Sequence, residues 1–384
     1  MSNEMSKRMI YLDNAATTKP LPEVVEVVNE FLEDQWGNPG GAYGFGETAK
    51  GILRDCRRTI ADTLWTSPDC IYFTSGGSES DNLAIKSVAE EYGPGSHIIT
   101  SQIEHKAVLN TCRWLESRGY EVTYLPPDER GIISPQQVED AIRDNTILVS
   151  IMMVNNEIGT IEPIKEIGYV CEHHGILFHV DAVQAYSHMK IDVGVMKIDM
   201  LSASAHKFHG PKGVGFLYSR VPLHSLIHGG SQEGGVRAGT ENMPGIVGMA
   251  IAAELAHQRM EENTTTQISL RDRFIENILN SVDNATLNGS LVCRAPNNVN
   301  FSFKGINGET ALVLLDMRGV CASTGSACNS SDGKPSHVLK AIGKTDDEAR
   351  SSLRFTLSEF TTVDEIDEAS SILKETIEQL RSLN

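Results

Sequence analysis

The spacing of apolar positions changes several times along the chain. In "PEVVEVVNEFLEDQW" (22–36) they recur at helical intervals, with Pro22 in the first turn, where proline is tolerated. Short, nearly continuous apolar runs follow: "CIYFTS" (70–75), "HIITS" (97–101), "TILVSIMMVN" (146–155), "ILFHVDA" (176–182), "DMLSASA" (199–205) and "VGFLYS" (214–219). Runs apolar on both faces predict strands buried within a mostly parallel sheet. Helical spacing returns between several of them, in "ESDNLAIKSVAEEY" (79–92), in 135–143 and in 163–174. The alternation predicts an α/β unit. After residue 262 the texture changes. A polar stretch leads into a helical "LRDRFIENILNSV", a strand-like "NNVNFSF", a helix near 308–318, the strand-like "SSLRFTL" and a closing amphipathic helix, "TVDEIDEASSILKETIEQL". The expected organisation is a large domain over 15–262, and a smaller α+β domain built from 1–14 together with 263–384.

Composition narrows the class. The chain has 384 residues, 40% hydrophobic and 22% charged, as in ordinary globular proteins. Its net charge of −18 argues against direct nucleic-acid contact. No apolar run approaches the length of a membrane helix, and "MSNEMSKRMIYLD" lacks the apolar core of a signal peptide. The seven cysteines are scattered, with no CxxC and no zinc-type Cys/His spacing, so no metal site is expected. A reducing, cytoplasmic setting with most thiols structural is the expectation.

Cys328 is the exception. It lies in "CASTGSACNSSDGKPSHVL" (321–339), among Ser, Gly, Ala, Asn and Asp, where nothing would bury it. The run reads as an exposed loop. Cys321, at the end of an apolar run, reads as structural.

Other chemistry collects at strand ends. Lys207, in "SASAHKFHGPKG", follows an apolar strand, and lysine is the residue that forms Schiff bases with carbonyl cofactors. Pyridoxal phosphate needs such a lysine, an acid for its pyridine nitrogen and a cup for its phosphate. Asp181, ending "ILFHVD", is a candidate acid; taken alone it equally suits a helix cap. "FTSGGSES" is a candidate cup, because small residues before a helix let backbone N–H groups converge on an anion, and Ser78 adds a hydroxyl. Asn155 and Asn156 also follow a strand, in the place where open α/β sheets form their ligand crevice. His105 does too, although alone it reads as a hydrogen-bonded structural histidine.

Together these residues resemble the cysteine desulfurases of the IscS/NifS type, within the class V aminotransferase group. The matching stretches are "YLDNAATT", "FTSGGSESDNLAIK", "IEHKAVL", "VNNEIGTI", "HVDAVQA", "SASAHKFHGPKGVGFLY", "GGVRAGTEN", "STGSAC" and "SLRFTL", in the family's order over nearly the whole chain. The resemblance implies the fold type I pyridoxal-phosphate architecture, with a seven-stranded type of sheet, working as a homodimer. It implies Lys207 as the Schiff-base lysine, and His105 stacked on the ring and moving protons. Asp181 would meet the pyridine nitrogen and Gln184 the phenolic oxygen. Gly77, Ser78, Ser204 and His206 would hold the phosphate, with Thr240 reaching across from the other subunit. Asn156 would contact cofactor or substrate, and Arg354 would bind the carboxylate of L-cysteine with its planar fork of donors. Cys328 would be the nucleophile that takes the sulfur as a persulfide, releases alanine, and passes the sulfur to a protein acceptor in iron–sulfur cluster assembly, tRNA thiolation or DNA sulfur modification. The loop from Cys328 to "PSHVL" has the length of the family's long-loop branch. Departures from the family's usual pattern are Tyr43 and Met153, each in place of a histidine, and Gly234 in place of an arginine.

Two other classes compete. A selenocysteine lyase or a class V transaminase would share the cofactor residues without needing Cys328. A non-catalytic sulfur-relay scaffold would not need Lys207, Asp181 and His105 intact.

Overall fold

A computed structural model describes residues 9–324 and 335–383. Cys328 lies outside the described residues. The chain opens with a two-residue strand, β1 (Ile10–Tyr11), and two helices, α1 (Pro22–Glu33) and α2 (Gly44–Thr63). Strands and helices then alternate: β2 (Ile71–Thr74), α3 (Gly77–Tyr92), β3 (His97–Ser101), α4 (Lys106–Glu116), β4 (Glu121–Leu125), α5 (Pro135–Ala141), β5 (Thr146–Ser150), α6 (Ile164–His174) and β6 (Leu177–Asp181). β7 (Met200–Ser204), β8 (Gly215–Ser219) and α7 (Met243–Gln258) complete this part.

Seven strands form one sheet in the order β2-β8-β7-β6-β5-β3-β4. β8 runs antiparallel to both β2 and β7, and every other pairing is parallel. Ile60, Phe178, Phe216 and Met249 pack in the core on one face, with α1, α2, α6 and α7. Leu83, Ile98, Leu148 and Met200 pack on the other face, beneath α3 and α4.

The remainder comprises α8 (Met260–Ser281), β9 (Ala285–Leu287), β10 (Asn298–Phe303), α9 (Gly308–Met317), β11 (Val320–Cys321), α10 (His337–Ala341), α11 (Asp346–Arg350), β12 (Ser352–Thr356) and α12 (Val363–Ser382). A three-stranded antiparallel sheet, β12-β10-β9, packs on α8 and α12 around a separate core that includes Phe274, Phe301 and Phe355. β1 pairs in parallel with β11, Ile10 opposite Val320, so the first strand sits in this smaller unit.

The strand expected over 146–155 ends at Ser150. The chain then doubles back, pairing Val154 with Ile161, and its apolar residues stay in the core through that hairpin. The polar stretch after residue 260 is already helix α8, with Glu261 and Glu262 at the N-terminal turn, where the helix dipole favours them. Among the described residues, no helix is long and apolar enough to cross a membrane.

Candidate active site

The parallel strands β3, β5, β6 and β7 end on one side of the sheet, and a cavity of about 300 Å³ opens there. The turn from β2 into α3 brings Gly77 and Ser78 to it. The loop after β6 brings Asp181 and Gln184, and the turn after β7 brings Ser204, His206 and Lys207. His105 follows β3, Asn156 follows β5, and Arg354 reaches in from β12 of the smaller unit. Thr240 does not line this cavity and is exposed in the single chain. Its neighbour Arg237 pairs with Glu79 at 2.9 Å, which holds that loop beside the start of α3.

The β2–α3 turn is made of small residues because the backbone approaches its neighbours closely. Gly76 has φ +147°, and a β-carbon on Gly77 would lie 2.6 Å from Val183 Cγ2. The first N–H groups of α3 lack partners within the helix, so the turn presents donors beside Ser78.

Lys207 Nζ donates to the carbonyls of Ala15 at 2.5 Å and Ala16 at 2.8 Å, and Gln184 Nε2 donates to the same Ala15 carbonyl at 3.0 Å. Asp181 is buried, and its Oδ1 accepts the backbone N–H of Val183 at 2.9 Å. It therefore does both things its position suggested: one oxygen caps the following turn while the carboxyl faces the cavity. Burial pushes its pKa up, against the pull of His105, the Val183 N–H and Lys207. His105 caps α4, with Nδ1 accepting from Ala107 N at 3.2 Å. His206 Nδ1 lies 3.2 Å from Thr17 Oγ1; burial, together with Lys207 and Lys212, lowers its pKa to about 4, so the ring is neutral. Arg354 is buried, donating to Asp13 Oδ1 at 2.8 Å and to the Asn156 carbonyl at 2.9 Å, and its Nε has no hydrogen-bond partner among the described residues.

The chain matches the aminotransferase class-V family over residues 10–368. It is 50% identical over 380 residues to cysteine desulfurase IscS of Methanosarcina thermophila, covering 98% of this chain and 94% of that one. A solved NifS-like protein superposes with a TM-score of 0.91 at 37% identity, covering 97% of this chain and all of the other. SspA, solved in complex with cysteine, superposes with a TM-score of 0.81 at 42% identity, over 92% of this chain and 99% of that one. The chain belongs to the cysteine desulfurases of the class V aminotransferase family.

Cysteine desulfurases of this family work with pyridoxal phosphate, and the cavity's donor set fits that cofactor. Lys207 brings to the cavity an amine of the kind that captures an aldehyde. Burial disfavours the charge on the Asp181 carboxyl, and a protonated pyridine nitrogen would be a direct cationic partner for it. The glycine turn and helix start offer N–H groups to a phosphate.

Sequence reasoning grouped Asn155 with Asn156, and the structure separates them. Asn155 is fully buried; its Nδ2 donates to the Ile103 carbonyl and its Oδ1 accepts from the backbone of Glu157 and Ile158. It builds the turn, and only Asn156 lines the cavity. Met153 is core, not cavity. Tyr43 is exposed, and Gly234 has φ +66°, a conformation that suits glycine. Cys56, Cys112 and Cys171 are buried and their thiols are pushed up to about 12, as structural cysteines require.

Asp13 and Asp81 were not anticipated. Asp13 stands in the quoted "YLDNAATT", but only the fold puts it against Arg354. Asp81 had a readable signal. It shares a helical stripe with Ala84, Ile85 and Val88, so an acid occupies a core-facing position.

Proposed function

We propose that this chain acts on L-cysteine with pyridoxal phosphate carried on Lys207, and that Cys328 receives the sulfur. The observation that supports this is the convergence of Lys207, Asp181, His105, Asn156 and Arg354 on one cavity. When bound, the cofactor supplies an electron sink next to the amino acid's α-carbon. Lys207 provides the amine that carries it. Asp181 holds the ring nitrogen's proton, with Gln184 at the phenolic oxygen. Gly77, Ser78, Ser204 and His206 anchor the phosphate. His105 covers the ring and moves protons, and Arg354 with Asn156 grips the substrate carboxylate. The sulfur of L-cysteine passes to the Cys328 thiolate as a persulfide, and the three-carbon remainder leaves as L-alanine. One S–S bond replaces one C–S bond, and no outside oxidant is consumed.

The exposed Thr240 supports a homodimer in which it completes the neighbouring site's phosphate contacts. The persulfide then goes to a protein acceptor, which the composition around Cys328 and the acidic surface favour over nucleic acid. We also assign 15–262 as the cofactor-holding domain, with 1–14 and 263–384 as the domain that carries Cys328.

The test is sulfide and alanine release from L-cysteine with a reductant, wild type beside Cys328→Ala. Equal amounts of both products from wild type alone support the reading. Release by both proteins removes Cys328 from the reaction and favours a lyase. In parallel, Asp181→Ala should release the cofactor; unchanged retention would remove Asp181 from the ring nitrogen.

A further inference from the structure

Beneath the cofactor cavity the sheet face toward α3 changes character along the strands. Near their starts it carries Leu148, Leu177 and Met200, which pack with α3 and α4. Two residues further along each strand it carries Ser150, His179 and Ser202, all fully buried, and then Asp181 and Ser204. Such a buried polar layer is costly unless it is internally bonded.

It is bonded in a chain. His179 Nδ1 lies 2.9 Å from Ser150 Oγ, and Nε2 lies 3.0 Å from Ser202 Oγ. Burial lowers the pKa of His179 to about 3, so the imidazole is neutral, with one donor and one acceptor. If Ser150 donates to Nδ1, then Nε2–H donates to Ser202, and the Ser202 hydroxyl hydrogen is left for Asp81, whose ionised form it favours.

Asp81 comes down from α3 onto this layer and lines the cavity beside Asp181. Only 1% of it is exposed, and its Oδ1 has no hydrogen-bond partner among the described residues; His179 Nε2 is 3.6 Å away. A carboxylate can only accept, so an ionised Asp81 would leave that oxygen bare, against the charges of Asp181 and of Glu104 on the loop after β3. A proton on Asp81 turns the bare atom into a donor.

We propose that Asp81 is a positioning residue: a buried neutral acid that donates its proton as a hydrogen bond to Asp181 and so holds that carboxylate ionised for the cofactor's ring nitrogen. This rests on the assignment of Asp181 above. Burial and the neighbouring charges of Asp181 and Glu104 all push Asp81 in the required direction, and the Ser202 hydroxyl pulls against them. His105 and Lys207, which face Asp181, favour the charge staying on that residue. The pair then holds one negative charge, which one pyridinium neutralises.

The test is infrared spectroscopy on protein labelled with carboxyl-¹³C aspartate, with and without cofactor, comparing wild type with Asp81→Asn. A protonated-carboxyl band that shifts in deuterated water and vanishes in the variant is expected. Asp81→Asn, which keeps an N–H donor, should retain cofactor within about threefold. Asp81→Leu, which has none, should lose on the order of 10- to 100-fold, the worth of a hydrogen bond to a charge. No such band in wild type, a band that survives in Asp81→Asn, or equal cofactor loss in both variants would overturn the proposal. If Asp81→Leu does not fold, the band decides alone. The band does not depend on where Asp181 points. Its presence beside a cofactor-retaining Asp181→Ala would sink the ring-nitrogen assignment and leave Asp81 protonated.

Discussion

The two walls of the cavity are built differently. The wall from the large sheet is made of strand ends and the first residues after them: Asp181, Ser204, His206 and Lys207. Asp181 and Ser204 close strands held by their neighbours, and Asp181 also accepts the Val183 N–H, while the side chains of Lys207 and His206 in the turn beyond are held by bonds to residues 15–17. The wall from the smaller unit is, among the described residues, a single side chain. Arg354 stands on β12, in a sheet with its own core, and its guanidinium is shared between Asp13 and the Asn156 carbonyl. The first wall is suited to a group that stays, and the second to a molecule that comes and goes. On the function proposed above, the cofactor would benefit from rigid, preformed donors, whereas a substrate carboxylate would be exchanged at each turnover, and Arg354, whose Nε has no partner among the described residues, could accept one without first breaking every bond it has.

The contrast breaks most severely at Lys207. Lys207→Ala should lower sulfide release by at least ~1,000-fold and abolish the yellow absorbance of the holoprotein. A variant that stays yellow would mean another amine holds the cofactor.

Arg354 tests the second wall. Arg354→Ala should lower kcat/KM for L-cysteine by on the order of 100-fold while cofactor absorbance is retained, since the loss falls on a buried charge pair. Arg354→Lys should recover part of this, because the charge returns without the fork. Cofactor loss in either variant would join the two walls into one.

A stability measurement tests the buried polar layer behind the first wall. Burial raises the pKa of Glu104 to about 8 from an ordinary 4.5. Its Oε1 accepts from Ser101 Oγ at 2.5 Å and from Met152 N at 3.1 Å, while Oε2 is unpartnered among the described residues. Between those two pH values the folded chain keeps a proton that the unfolded chain has released, so stability falls as pH rises and levels off above the folded value. Glu104→Gln keeps the acceptor and removes the titration. Denaturant melts should show it more stable than wild type by on the order of 4 kcal/mol at alkaline pH, with the gap closing toward pH 4. A gap independent of pH would refute the assignment.

Lys207 and Asp181 were legible in the sequence because each is a charged residue at the end of an apolar run, where charge needs a reason. The alternation of buried strands and helices was legible for the same kind of reason. Strand β4 was not, because "EVTYL" is an edge strand whose first four residues are only partly buried or exposed, and its apolar signal is weak. α7 was not, because "MPGIVGMAIAAELAHQ" packs against both α1 and α2 and shows no polar face to set a period. Asn155 and Asn156 could not be told apart from sequence, since one residue's difference in turn position decides which side chain faces inward. Asp13 was hidden for a topological reason: its partner lies 341 positions away.

That separation has a further consequence during synthesis. Strand β1 waits for β11, and Asp13 waits for Arg354, so both remain without their partners until most of the chain has left the ribosome. The Ala15 and Ala16 carbonyls that hold Lys207 follow directly on, with Ala15 N bonded to Thr356 Oγ1. The lysine's resting place is therefore finished only when the last strand arrives. A truncated nascent chain has the large sheet's strand ends but not this clasp.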